Sequence, residues 1–360
     1  MAPLAETRLV YIAPSAGRSG VGDYADDFLD SVRDHFLEVI EYRIATDGAE
    51  TVRDVLTNVR AVRASVLAAE KRGPVIVHFE QSAGSLSTFW ASWLPRRIPV
   101  TSTVHDATNP AWWPFKTKLL YRFRLLHHAV HYPTRPLITA LQRRATKGRT
   151  LFALTSIGAD NVGMQMSGST AVASRIFVPV RGELPPLTER PAAVGMFGHV
   201  YKGKGFELIG RLREQLDDSI GIVVAGRGTD TLPATEGVQV LGEVNDEEED
   251  AFFASFRFLI VPYSKDNPYG KVWAASSAVS RSFAYNTPII CILDGSLVET
   301  AVEGGAIGVE GGIDAIAAKA NSIIRDANQL RTSEAEVRVL REARTIDRCA
   351  QPFLDAWADL

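Results

Sequence analysis

The stretch Ala193-Val-Gly-Met-Phe-Gly-His-Val-Tyr-Lys-Gly-Lys-Gly-Phe-Glu-Leu-Ile-Gly-Arg-Leu212 decides the fold. Val194 to Phe197 is a short run with the character of a buried strand. Gly198, Gly203 and Gly205 then form a turn, after which Phe206, Leu208, Ile209 and Leu212 recur with helical spacing. Glycines between a strand and a helix let backbone N–H groups and a helix N-terminus approach a phosphate, and Lys202 and Lys204 place positive charge beside it. The stretch suits a diphosphate, but the same kind of turn also serves as plain structure, and the rest of the chain has to choose.

With 360 residues, 46% of them hydrophobic and 22% charged, the chain suits two domains that each bury a core. Two cysteines, Cys291 and Cys349, make neither a metal cluster nor a disulfide framework, which implies a reducing compartment. The first apolar run, Leu9 to Ala13, is too short for a signal peptide or a membrane span and follows no basic stretch. A cytoplasmic chain is the expectation. Charge is distributed unevenly: residues 96–149 hold eight Arg and three Lys against Asp106 alone, a net +10, so an overall charge of −3 leaves −13 for the remainder.

Outward from the opening stretch, strand and helix patterns alternate, which implies a parallel sheet with ligands beyond its C-terminal strand ends. In the first half, strands are expected at Leu9–Ala13, Val39–Tyr42, Pro74–Phe79, Val100–Val104, Leu151–Ser156 and Arg175–Val180, with helices from Tyr24 to Asp34 and Thr51 to Arg72. In the second half they are expected at Ile220–Ala225, Val238–Leu241, Phe258–Val261 and Pro288–Leu293. Helices should cover Ala275–Tyr285, Ile313–Asp326 and Ser333–Leu360. These imply an N-terminal domain over 1–180 and a proline-rich linker over 181–191. A C-terminal domain should span 192–340, and a final helix over 341–360 should pack back towards the first domain.

Glu80 and His105 both follow buried-strand patterns, so both should stand at the sheet's C-terminal edge. His105 is the functional candidate there, whereas His78, inside its strand, has a structural role. Between Pro110 and Arg144, aromatic and leucine residues interleave with the cations. That composition suits an anionic membrane surface, an ordinary solvated helix face or, less well, a nucleic-acid groove.

Taken in order, the parts resemble a GT-B-fold glycosyltransferase of the retaining family 4 type. The resemblance rests on Gly198-His-Val-Tyr-Lys-Gly-Lys-Gly205, Val223-Val-Ala-Gly-Arg-Gly228, Gly242-Glu-Val244 and Val261-Pro-Tyr263. Ala284-Tyr-Asn-Thr-Pro-Ile-Ile290, Gly295-Ser-Leu-Val-Glu299, the N-terminal Ser19-Gly-Val-Gly-Asp-Tyr24 loop and His105-Asp106 complete it. It spans nearly the whole chain, with residues 112–149 the least comparable. The fold it implies is two Rossmann-like parallel-sheet domains facing across a cleft.

By that resemblance Lys204 and Lys202, with Gly198, His199 and Gly226, would hold the diphosphate of a nucleotide sugar of the UDP or GDP type. The Gly20–Gly22 backbone would lie nearby, Glu243 and Val244 would hold the base, and His105 would touch the transferring sugar. Two features depart from the family pattern. His199 stands in place of an arginine, and the two glutamates seven residues apart are missing, Asn267-Pro-Tyr269-Gly270 standing at the first and Arg281 at the second. Asn267, Tyr269, Gly270, Ser276, Ser277 and Glu299 are therefore the candidates for the remaining donor contacts.

The implied activity is metal-independent, retaining hexosyl transfer to a lipid-linked or cell-envelope glycan acceptor, with His105 and Lys204 catalytic. Fixed cations and N–H dipoles would stabilise the leaving diphosphate, and no Asp-x-Asp pair is present to clamp a metal. Cytoplasmic placement at the inner face of the plasma membrane, through residues 96–149, would suit such an acceptor. The alternative is a non-catalytic nucleotide-sugar-binding protein of the same fold. A nicotinamide-dependent oxidoreductase fits less well, because Gly226-Arg-Gly228 lacks a third glycine and a following acidic residue.

Overall fold

Two sheets, each of six parallel strands, organise the chain. The structure, a computed structural model, describes residues 3–17, 20–45, 50–82, 84, 86–201, 203–245, 247–263 and 274–360, without the side chains of 121, 122 and 124–128. It divides into two units: Met1–Arg175 with Trp273–Ala275 and Ile346–Leu360, and Ile176–Val272 with Ser276–Thr345.

The first unit begins with β1 (Arg8–Pro14), α1 (Gly20–Val32), β2 (Glu38–Ile44), α2 (Val52–Glu70), β3 (Val75–Gln81) and α3 (Leu86–Ala91). It continues with β4 (Val100–Val104), α4 (Lys118–Arg122), α5 (Arg124–Thr146), β5 (Thr150–Ala153), α6 (Ser156–Gln165) and β6 (Thr170–Ala173). The strand order is β2-β1-β3-β4-β5-β6. Val10 and Ile12 of β1 pack with Val59, Val62 and Val66 of α2 on one face. Tyr11, on the other face, stacks near Phe28 of α1. Both faces are covered, so β1 reads from Leu9 to Ala13 as an unbroken apolar run rather than an alternating one.

The second unit runs β7 (Ala193–Phe197), α7 (Ile209–Gln215), β8 (Gly221–Ala225), β9 (Val238–Val240), α8 (Glu247–Ala254) and β10 (Phe258–Val261). Then come α9 (Ser277–Ala284), β11 (Ile289–Ile292), α10 (Ser296–Glu303), β12 (Ala306–Val309), α11 (Ile313–Ile323) and α12 (Ala327–Ala343). Its order is β12-β11-β10-β7-β8-β9. Val194, Met196, Ile222, Val224, Phe258 and Ile260 feed one core. Their neighbours Ala193, Val223, Ala225, Leu259 and Val261 feed the opposite one.

The last helix, α13 (Ile346–Ala358), belongs to the first unit. Phe353 stacks on Phe152 at 4.0 Å between ring centres, and Trp357 meets Phe36 at 5.5 Å. Residues 181–191 lie in the second unit, where the buried Arg190 guanidinium donates to the Tyr285 carbonyl at 2.9 Å and the Thr287 hydroxyl at 2.7 Å.

Three expectations need correcting. Arg175–Val180 is not a strand, although Phe177 and Val178 are buried. Its backbone is satisfied otherwise, the Phe177 carbonyl accepting from the Ser280 hydroxyl and the Val178 N–H donating to the Arg344 carbonyl. The helix expected over Ser333–Leu360 is two helices, α12 and α13, interrupted at Arg344 and Thr345. Strands β6 and β12, each at one edge of its sheet, were not expected; their residues are half-buried or exposed.

Candidate functional site

In an open parallel sheet, a crevice forms beyond the strand ends where the chain reverses its order of travel. In the second unit that place lies between β7 and β10. Three glycine turns line up beside it. The Gly198 N–H donates to the Ala225 carbonyl at 3.1 Å, and the Gly226 N–H to the Gly242 carbonyl at 2.7 Å, so the ends of β7, β8 and β9 are tied together. Gly226 holds a φ of +127°, and a Cβ built there would stand 2.2 Å from the Gly198 carbonyl oxygen, so this approach admits glycine alone.

Lys204 reaches the reversal point itself. Its Nζ lies 5.3 Å from the centre of the Tyr201 ring and 3.8 Å from that of Tyr263, the second residue after β10. Burial works against the ammonium, but the phenols of Tyr263 and Tyr201 outweigh it and hold the group above its ordinary range. The Tyr263 and Ser276 hydroxyls share a hydrogen bond of 3.0 Å. Lys204, Tyr263 and Ser276 therefore form one constellation, and the Lys204 ammonium stays charged beside the amide-rich turns.

In the first unit the reversal falls between β1 and β3. There the fully buried Glu80 carboxylate accepts from the Tyr11 hydroxyl at 2.5 Å. Its other oxygen stands 2.6 Å from His105 Nε2, and His78 Nε2 lies 3.2 Å from the first. Burial opposes the charge, yet the hydrogen bonds from His105 and then His78 outweigh it and keep Glu80 well below the usual carboxylate range. Burial, then the Glu80 charge, pushes the Tyr11 phenol up, which leaves that hydroxyl as a donor. The Tyr24 ring meets His105 edge-on at 5.1 Å.

The sequence matches no protein-family model and no curated protein. Solved structures do match. HepE of Anabaena in complex with UDP-glucose superposes with a TM-score of 0.67 at 12% identity, over 98% of this chain and 100% of that one. A glycosyltransferase from Rickettsia africae gives 0.63 at 12% identity, over 98% of each chain. A Listeria monocytogenes protein described as a UDP-N-acetylglucosamine 2-epimerase gives 0.58 at 12% identity, over 98% and 96%. The fold is GT-B.

The expected donor residues take various places in the GT-B chain. Gly198, Gly226, Glu243 and Val244 lie on or next to the three tied turns, and Glu243 is paired with Arg227 at 2.6 Å. His199 is exposed, and its charge interaction with Glu243 helps hold that carboxyl low after the Arg227 pair. Ser277, the first residue of α9, is exposed, and Glu299 sits half-buried on α10. Lys202, Asn267, Tyr269 and Gly270 lie outside the described residues. Gly20 opens α1, and a Cβ on Gly22 would meet the Ser15 carbonyl oxygen at 2.2 Å, so the β1–α1 loop closes tightly over this helix start.

Arg281, expected at the place of a glutamate in the family the sequence resembles, is committed elsewhere: its guanidinium pairs with the buried Glu249, which also accepts from the Tyr285 hydroxyl. Sequence reasoning overlooked Tyr11, Tyr201 and Tyr263. The one available signal was a carboxylate, Glu80, near the end of a buried strand, which requires donors around it. Among the described residues no three His, Cys, Asp or Glu side chains converge to hold a metal.

Proposed function

We propose that this protein is a retaining glycosyltransferase. It moves a hexosyl group from a nucleotide diphosphate sugar, UDP or GDP type, to a lipid-linked or cell-envelope glycan acceptor. The carrying observation is the Lys204 ammonium held by two tyrosines at the β7/β10 reversal, beside the glycine turns that tie the ends of β7, β8 and β9 together. A fixed cation of this kind can stabilise a developing diphosphate charge without a metal. His105 is assigned to the transferring sugar. Lacking a dedicated carboxylate nucleophile, the reaction proceeds by front-face attack. The acceptor oxygen bonds to the anomeric carbon as the C–O bond to the diphosphate breaks, and the leaving phosphate oxygen takes the acceptor's proton.

The basic segment supports an anionic membrane as the acceptor's location: Leu119, Phe123 and Leu137 are exposed among its cations. No described helix is long and apolar enough to cross a membrane; in this reading the binding is peripheral, at the inner face of the plasma membrane. Nucleic acid is not a partner in this reading.

Calorimetry with UDP, UDP-glucose and their GDP counterparts, followed by NMR of the anomeric proton of any product, tests it. Donor binding with retention supports transfer; epimerised donor, or no binding to any of the four, overturns it. Binding with neither hydrolysis nor transfer supports the second reading, a non-catalytic nucleotide-sugar binder. Arg281 in its pair with Glu249 favours that reading, since it leaves no carboxylate at the second glutamate position.

A further inference from the structure

His78, Thr101 and Trp357 carry no role in the reading above, yet they form one chain leading to His105. The Trp357 indole N–H donates to the Thr101 hydroxyl oxygen at 3.0 Å, and that hydroxyl lies 2.8 Å from His78 Nδ1. His78 Nε2 faces Glu80 at 3.2 Å and Thr103 at 3.0 Å, and the other Glu80 oxygen faces His105 Nε2 at 2.6 Å. Trp357, Thr101, His78 and Glu80 are all buried, and all belong to the first unit.

The proton order follows from the two ends. An indole nitrogen only donates, and an ionised carboxylate only accepts. With Thr101 accepting from Trp357 and donating to His78 Nδ1, the His78 proton sits on Nε2 and points to Glu80, the tautomer that an ionised carboxylate favours. Glu80 in turn accepts a hydrogen bond from the Nε2–H of His105, so Nδ1 is the His105 nitrogen turned to a substrate. We infer that Trp357, carried by the last helix, is a positioning residue for His105, acting through Thr101, His78 and Glu80. The assignment of His105 to the sugar rests on the proposed function; the proton order does not.

The test uses the full chain labelled with ¹⁵N-histidine, comparing wild type, Trp357→Phe and Thr101→Val by long-range ¹H–¹⁵N NMR, with Phe36→Leu as a control for packing around Trp357. Wild-type His78 should read as the neutral Nε2–H form. Trp357→Phe and Thr101→Val should both displace the ring-nitrogen signals of His78 and of His105 Nε2, Thr101→Ser should restore them, and Phe36→Leu should leave them in place. Turnover of UDP-glucose should fall about fivefold in Trp357→Phe with KM little changed, the size of one lost hydrogen bond. Ring-nitrogen signals in the two chain variants that match the control, or His78 found as imidazolium, overturn the inference. If wild type turns over no donor, the transferase reading fails, while the NMR comparison still decides the proton order.

Discussion

The ammonium of Lys204 rests 3.8 Å from the centre of the Tyr263 ring, so a residue beyond β7 is gripped by one beyond β10, the two strands between which the sheet reverses direction. That grip orders a flexible side chain before a ligand arrives, which lowers the entropy lost on binding.

Lys204→Ala should therefore weaken UDP binding by about ten- to a hundredfold, as expected for a lost hydrogen bond to a charged group. Isothermal calorimetry at fixed ionic strength measures it, with circular dichroism to check the fold. An unaltered dissociation constant would remove Lys204 from the diphosphate site.

Glu80 should make the protein acid-sensitive. Its folded-state carboxyl is held low against burial by His105 and His78, with Tyr11 and Tyr24 as the other titratable groups around it. A lowered folded value means that the unfolded chain binds the proton more readily. The stabilisation is thus complete above the ordinary carboxylate value of about 4.3 and is lost as pH falls below it. Urea midpoints should drop more steeply with acid in wild type than in Glu80→Gln; parallel curves would refute the assignment.

Gly226→Ala should cost about 1–3 kcal/mol, because the new methyl meets the Gly198 carbonyl oxygen and the positive φ adds strain. Since Gly226 also ties the three turns together, the variant should lose UDP affinity at temperatures where it remains folded. A thermal melt with and without UDP reads both effects.

For the basic segment, co-sedimentation with vesicles should require anionic lipid and diminish as salt rises. Leu119 is 70% exposed and Leu137 72%, so the double change Leu119→Glu, Leu137→Glu should abolish partitioning without loss of stability. Equal binding to neutral vesicles would exclude the electrostatic component.

How much of this was legible in the sequence depended on burial. The strands expected at Val100–Val104 and Phe258–Val261 match β4 and β10 residue for residue: β10 is a continuous apolar run, and β4, Val-Thr-Ser-Thr-Val, is rich in β-branched residues. Edge strands β6 and β12, half-buried or exposed, were not read as strands, although β12 is apolar. Phe177 and Val178 are apolar for a different reason: they are buried in the second unit, with carbonyl and N–H bonded to Ser280 and Arg344 instead of a neighbouring strand. The break at Arg344 has no local signature, since that carbonyl accepts from a residue far away in sequence. At the site, glycine turns and strand ends were readable from spacing. Tyr263 beside Lys204, and Tyr11 and His105 around Glu80, were not, because they meet through the sheet order and not through any run of neighbouring residues.

The discontinuity of the first unit bears on how the protein is made. A ribosome delivers every residue of the second unit before it delivers α13, the helix that covers Phe28, Phe152 and His78. Until then an aromatic surface on the nascent chain has no cover. The younger half of the polypeptide can reach its native state first, while the older half waits, exposed to chaperones and to aggregation, for the final segment to emerge.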